Sequence, residues 1–93
     1  MDIVSLIPVG YENAIKRSEL CTLTGLPDRK VRDMIFQARR ETPIINLQDG
    51  KGYFIPSEND RAHVKKFVKQ ETARLKSVGW ALKSARGFLK NGK

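Results

Sequence analysis

The feature that most limits what this chain can fold into is a four-residue break, Thr24-Gly25-Leu26-Pro27, set between two stretches of helical periodicity. Glycine tolerates the left-handed backbone a tight turn needs, and Leu26 supplies an apolar plug beneath it. Proline is accepted at or just before the first position of a helix, where its missing N–H leaves no bond unmade. Upstream, Ser18 is the expected N-cap and Glu19 lies in the first turn, where the helix dipole favours an acid. Leu20, Leu23 and Cys21 then fall on the side to be buried. Downstream, Val31, Met34, Ile35 and Ala38 recur at three- and four-residue spacing and share one face. Thr42-Pro43 closes this second helix.

Two short helices around a sharp turn form the outline of a helix-turn-helix, whose second helix is offered to a DNA groove. The face opposite the apolar stripe carries Arg29, Asp33, Phe36 and Arg40, with Lys30 and Gln37 on one flank and Arg32 and Arg39 at the boundary of the other. Arginine and glutamine pair bidentately with base edges in the major groove, and lysine is a point charge for base or phosphate. Arg29, Lys30, Gln37 and Arg40 are therefore expected to read or flank bases, with Asp33 on the same face and Arg32 holding phosphate.

After the second helix, Ile44-Ile45-Asn46-Leu47 and Tyr53-Phe54-Ile55 are β-prone runs joined by Gln48-Asp49-Gly50-Lys51-Gly52. An Asp-Gly step between such runs signals a hairpin. The expected fold is thus mainly α: a winged helix-turn-helix core over residues 1–57, with a two-stranded β-hairpin wing that projects Lys51 towards phosphate. The loop is no nucleotide-binding P-loop, since it lacks the glycine-lysine-threonine ending and a following helix. At the N-terminus, Ile3, Val4, Leu6 and Ile7 form a short apolar cluster of helical or edge-strand character, and Ile15 starts the core.

Residues 58–93 form one long run of helix formers without proline, about 48 Å if continuous. Val64, Val68, Leu75, Val78, Leu82, Ala85 and Leu89 follow an a/d heptad pattern in which Glu71 occupies one core position. Val64, Phe67 and Val68 are expected to close the core, while Leu75, Val78, Leu82, Ala85 and Leu89 pack on a second copy. Glu71 weakens a long parallel coiled coil, which leaves a shorter or antiparallel pairing. Gly79 is the place where the helix would kink or break. His63 is expected to be exposed, and Trp80 to pack.

Charge separates the two parts. The chain carries a net charge of +8; residues 1–57 hold 8 Lys+Arg against 7 Asp+Glu, and residues 58–93 hold 10 against 3. A polyanionic partner is implied, nucleic acid first and an acidic protein second. Lys76, Lys83, Arg86, Lys90 and Lys93 would add phosphate contacts. The single Cys21 has no partner for a disulfide or a zinc site, so a reducing compartment fits. No signal-peptide pattern or membrane-length apolar run is present, and a soluble cytoplasmic protein without membrane contact is expected. With no paired carboxylates, metal cluster or nucleophile–base pair, neither an enzyme nor a cofactor is expected.

Three blocks carry a family likeness: Ile7-Pro8-x-Gly10-x-Glu12-Asn13-Ala14-Ile15, Leu23-Thr24-Gly25-Leu26-x-Asp28-Arg29-x-Val31-Arg32, and Asp49-Gly50-x-Gly52-Tyr53-Phe54-Ile55-Pro56. They resemble small winged helix-turn-helix proteins of bacteriophages and prophages. The resemblance implies a double-stranded DNA-binding protein in transcriptional or replicative control of a mobile element, acting in the bacterial host cytoplasm. The alternative is a protein-interaction module, in which the helical core is a scaffold and the basic helix docks an acidic partner.

Overall fold

A computed structural model describes residues 2–91. Three α-helices follow one another, α1 (Arg17–Thr24), α2 (Asp28–Ala38) and α3 (Arg61–Asn91), with 3-10 turns at Ile3–Leu6, Tyr11–Asn13 and Glu58–Asp60. The N-terminal apolar cluster is therefore a helical turn, and its Ile3 and Ile7 are buried against α2. α1 begins one residue before Ser18, after an extended Lys16 whose carbonyl accepts from the Glu19 and Leu20 amides at 3.0 and 3.2 Å. Ser18 thus lies inside the first turn and is not the cap. Gly25 ends α1 in the left-handed conformation at φ 71°, its amide donating to the Cys21 carbonyl at 2.9 Å. Pro27 immediately precedes α2.

Leu20, Val31, Ile35, Ile44 and Tyr53 form the main core with Ile3 and Ile7, and Leu26, Met34, Ala38 and Cys21 pack partly buried around them. Leu23 does not join them. It is 58% exposed, because Arg17, Cys21 and Thr24 share the inward side of α1 with Leu20.

The expected β-hairpin wing is absent: among the described residues there is no β-strand, only three isolated bridges. Phe54 exchanges bonds with Ile45, but the pairing stops at that one bridge. The next bonded pair on one side would be Pro43 with Pro56, neither of which has an N–H to donate, and on the other side Gly52 turns away at φ 106°. From the opposite edge of the segment Tyr53 exchanges both bonds with Ile15 at 2.7 and 2.9 Å, and the Ile55 amide donates to Pro8 while its carbonyl accepts from Gly10. The stretch is thus held between the 44–47 run and the N-terminal segment as an internal clasp instead of a projecting ribbon. Gly52 is required at φ 106°, and a Cβ there would collide with the Ile15 carbonyl.

The loop tip is folded back as well. The Tyr11 hydroxyl donates to Asp49 at 2.7 Å, the Lys51 amide donates to Asp49 at 3.1 Å, and the Lys51 ammonium sits 5.5 Å from the Tyr11 ring centroid. These donors hold the Asp49 carboxyl below its usual range, the Tyr11 hydroxyl first, and the same bond raises the Tyr11 phenol. A second apolar cluster of Ile45, Leu47 and Phe54 packs against Tyr11, Ala14 and Phe67.

A capping box opens the last helical segment: Asp60 accepts from the Ser57 amide at 2.8 Å and the Ser57 hydroxyl at 3.0 Å. The Ser57 amide is the main reason the Asp60 carboxyl is held below its usual range. His63 is half-buried, contrary to expectation, because its ring stacks on Tyr11 at 4.1 Å and meets Phe54 edge-on. Phe67 and Val64 do reach the body of the protein, whereas Val68 is exposed. α3 then runs on without a break at Gly79, and its 31 residues account for the 51 Å long axis of the molecule. No described helix is long and apolar enough to cross a membrane.

Candidate nucleic-acid interface

α2 is anchored by Val31 and Ile35, which are buried, so its opposite face is fixed in direction. All six candidates, Arg29, Lys30, Arg32, Asp33, Gln37 and Arg40, are exposed, but α2 ends at Ala38, so Arg40 lies in the turn after the helix and not on its face as expected. They do not form one patch. Arg29, Arg32 and Asp33 line a groove of about 600 Å³ bounded by α2, the 46–53 segment and α3. Arg17, Arg39, Asn46, Gln48, Tyr53, Glu71 and Arg74 complete its walls with Phe36, which is 63% exposed. Lys30 lies on the other flank, in a recess with Pro27, Arg29 and Asp33. Gln37 and Arg40 line neither hollow. Lys51 is held over Tyr11 and belongs to a different part of the surface.

The groove brings five arginines together against two carboxylates, Asp33 and Glu71. The arginines differ in freedom. The Arg17 guanidinium is tied to Asp28 at 2.5 Å and to the Tyr53 hydroxyl at 3.3 Å, and these bonds, Tyr53 first, raise its affinity for the proton. Arg39 donates to the Ile44 carbonyl at 2.9 Å and lies 5.8 Å from the ring centroids of both Tyr53 and Phe67. It rivets the end of α2 to the clasp and to α3. Arg74 meets Glu71 only at 3.5 Å, a weak exposed pair. Arg29 and Arg32 show no ion pair among the described residues.

The chain matches no family model, no curated protein and no solved structure.

Chemically, the groove offers guanidinium forks suited to phosphate or carboxylate, two side-chain amides, and an exposed ring. Arg29, Arg32, Phe36 and Arg39 follow 3-4-3 spacing, so the α2 side of the groove was visible as a stripe in the sequence. Arg17 and Arg74 come from 12 or more residues outside α2's basic stripe at one end and from α3 at the other, and only tertiary packing brings them in. Asn46 and Gln48 were read as parts of a hairpin; the clasp turns them towards this groove instead. Lys93, counted among the basic residues of the C-terminal segment, lies outside the described residues. No group of three or more histidine, cysteine or carboxylate side chains among the described residues is placed to hold a metal ion.

Proposed function

We propose that this chain binds double-stranded DNA, with the exposed face of α2 presented to the major groove. The observation that carries the reading is the gathering of Arg29 and Arg32 from α2 and Arg74 from α3 around one open groove. An α-helix fits the major groove, and free guanidinium groups are the side chains best suited to guanine edges and phosphates. Arg29, Lys30 and Asp33, near the N-terminal end of α2, are the residues placed to meet base edges. Gln37, near the C-terminal end of α2, and Arg40, in the turn beyond it, would add contacts at that end. Arg32 and Arg74 hold phosphate, and α3 adds a column of cations to the attraction. Lys51, folded over Tyr11, contributes charge at a distance from α2. The biological setting this serves is control of transcription or replication of a phage or other mobile element.

Two copies would join through Leu75, Val78, Leu82, Ala85 and Leu89 of α3, which stand clear of the body; the four large members are 49–75% exposed. The same exposed helix also favours a second reading, a protein-interaction module in which basic α3 docks an acidic partner. Competition separates them. A labelled duplex bound to the protein is challenged with unlabelled duplex and, separately, with an acidic amphipathic peptide. Under the DNA reading, Arg29→Ala with Arg32→Ala weakens duplex binding at least tenfold while circular dichroism is unchanged. Displacement by the peptide at lower concentration than by duplex, with the double variant behaving as wild type, would reverse the assignment.

A further inference from the structure

α3 carries one apolar face along its length, but the body of the protein already uses the first part of it. Val64 is half-buried and borders a hollow with Pro56, Phe67 lies against the cluster around Phe54, and Glu71 borders the arginine groove. Leu75, Val78, Leu82 and Leu89 continue that face beyond the body and are all exposed. A second helix laid on this seam in parallel register would bring both bodies to the same end of the pair, beside Val64 and Glu71 of each. It would also set Glu71 against Glu71 in the seam, a like-charge contact in apolar surroundings.

We propose that the seam is covered by a second copy of this chain in antiparallel orientation, crossing near Trp80, with Val78 on Leu82 and Leu75 on Ala85 of the other copy. The inference rests on the dimer reading above and adds its geometry. Antiparallel pairing puts the two bodies at opposite ends of the helix pair, so they do not collide. It sets large residues over smaller ones in both layers, and the two-fold repeats each layer on the other side of the crossing. At the crossing itself the flanking residues are small, Gly79 on one side and Ala81 on the other. Gly79 has nothing within 4 Å of where a Cβ would stand, so a second backbone can approach there.

Charge selects the same arrangement. α3 holds nine Lys and Arg and a single acid, Glu71. Four of the cations, Lys69, Lys76, Lys83 and Lys90, recur every seven residues and form one column away from the seam. In the antiparallel register the positions flanking the seam pair Arg74 with Phe88 and Thr72 with Arg86, so no two cations are forced together. Glu71 meets Leu89 of the other copy and lies beside its Arg86 and Lys90. The one acid of each helix thus faces the basic end of its neighbour, and the lysine columns remain outside the interface.

The test uses the full chain with Cys21→Ser, without DNA. Val78→Cys and Leu82→Cys are prepared separately; both positions stand clear of the body, so the fold is preserved. Antiparallel pairing predicts that oxidation cross-links little of either protein alone and most of an equimolar mixture, the product containing one of each. Cross-linking of each protein alone, with no gain on mixing, would show parallel pairing and overturn the proposal while leaving the dimer reading intact. Sedimentation of the native chain must give twice the chain mass, with Leu82→Arg returning it to the single mass at unchanged helicity. A single mass for the native chain at several hundred micromolar would overturn both the geometry and the dimer, leaving the seam to a different protein.

Discussion

Gly52 and Asp60 each fix the chain at a point where no other residue serves as well. At Gly52 two demands coincide, a positive φ and a carbonyl in the space a Cβ would fill. Gly52→Ala is expected to cost at least ~2 kcal/mol, since strain and collision add; a urea denaturation curve measures it. Asp60 holds the start of α3 through the Ser57 amide. Its carboxyl titrates lower in the folded chain than in the unfolded one. Its stabilising contribution is therefore complete above the ordinary aspartate range, near pH 4, and is lost as pH falls through the lower folded value. Thermal melts between pH 7 and pH 2 should show this loss, and Asp60→Asn should remove that part of the acid sensitivity while lowering stability at pH 7. Arg39 is the third such residue. Arg39→Ala should destabilise by about 1–2 kcal/mol through one lost hydrogen bond and two lost ring contacts. It should do so without the tenfold loss of DNA affinity expected at Arg29 and Arg32, because its side chain is already engaged.

At the level of elements, α1, the turn and α2 were legible because local rules decide them. A glycine able to take the left-handed cap, a proline before the helix and an apolar stripe at helical spacing all act within a few residues. The stretch 44–55 was misread because its β-prone runs and Asp-Gly step are compatible with both a hairpin and a clasp. What decides between them is that Pro43 and Pro56 cannot extend the Ile45–Phe54 pair, while the N-terminal segment at residues 8–15, distant in sequence, binds the other edge of residues 53–55. His63 was misread for a related reason: a polar neighbourhood in sequence says nothing of Tyr11 stacking on it from another element. Of the groove, Arg29, Arg32 and Asp33 are named from the sequence, while Arg17, Arg39 and Arg74 are brought in by packing that the sequence pattern does not show. A kink or break is expected at Gly79, yet α3 passes through it, as a single glycine costs only about 1 kcal/mol against alanine. In the Leu82→Arg background, where the chain is single and nothing covers residues 75–89, Gly79→Ala should accordingly slow amide exchange along that stretch. Unchanged exchange rates there would mean that the glycine sets no limit on local opening.

For the whole molecule, charge is unevenly divided: the body is nearly balanced, and the helix extending from it carries most of the net positive charge. Under the proposed DNA reading, the body supplies discrimination and the helix attraction. A chain built this way should associate with DNA in a strongly salt-dependent manner and owe its selectivity to few residues. Whether the α2 face with its neighbouring arginines contacts phosphates and bases is decided by fluorescence anisotropy of a labelled duplex, titrated with wild type and with Arg29→Ala/Arg32→Ala at several salt concentrations. Wild-type affinity should fall with salt at a log–log slope steeper than about −3, and the double variant should bind more weakly with a slope shallower by about 2. Equal affinities and equal slopes for the two folded proteins, or no binding by wild type at low salt, would contradict it.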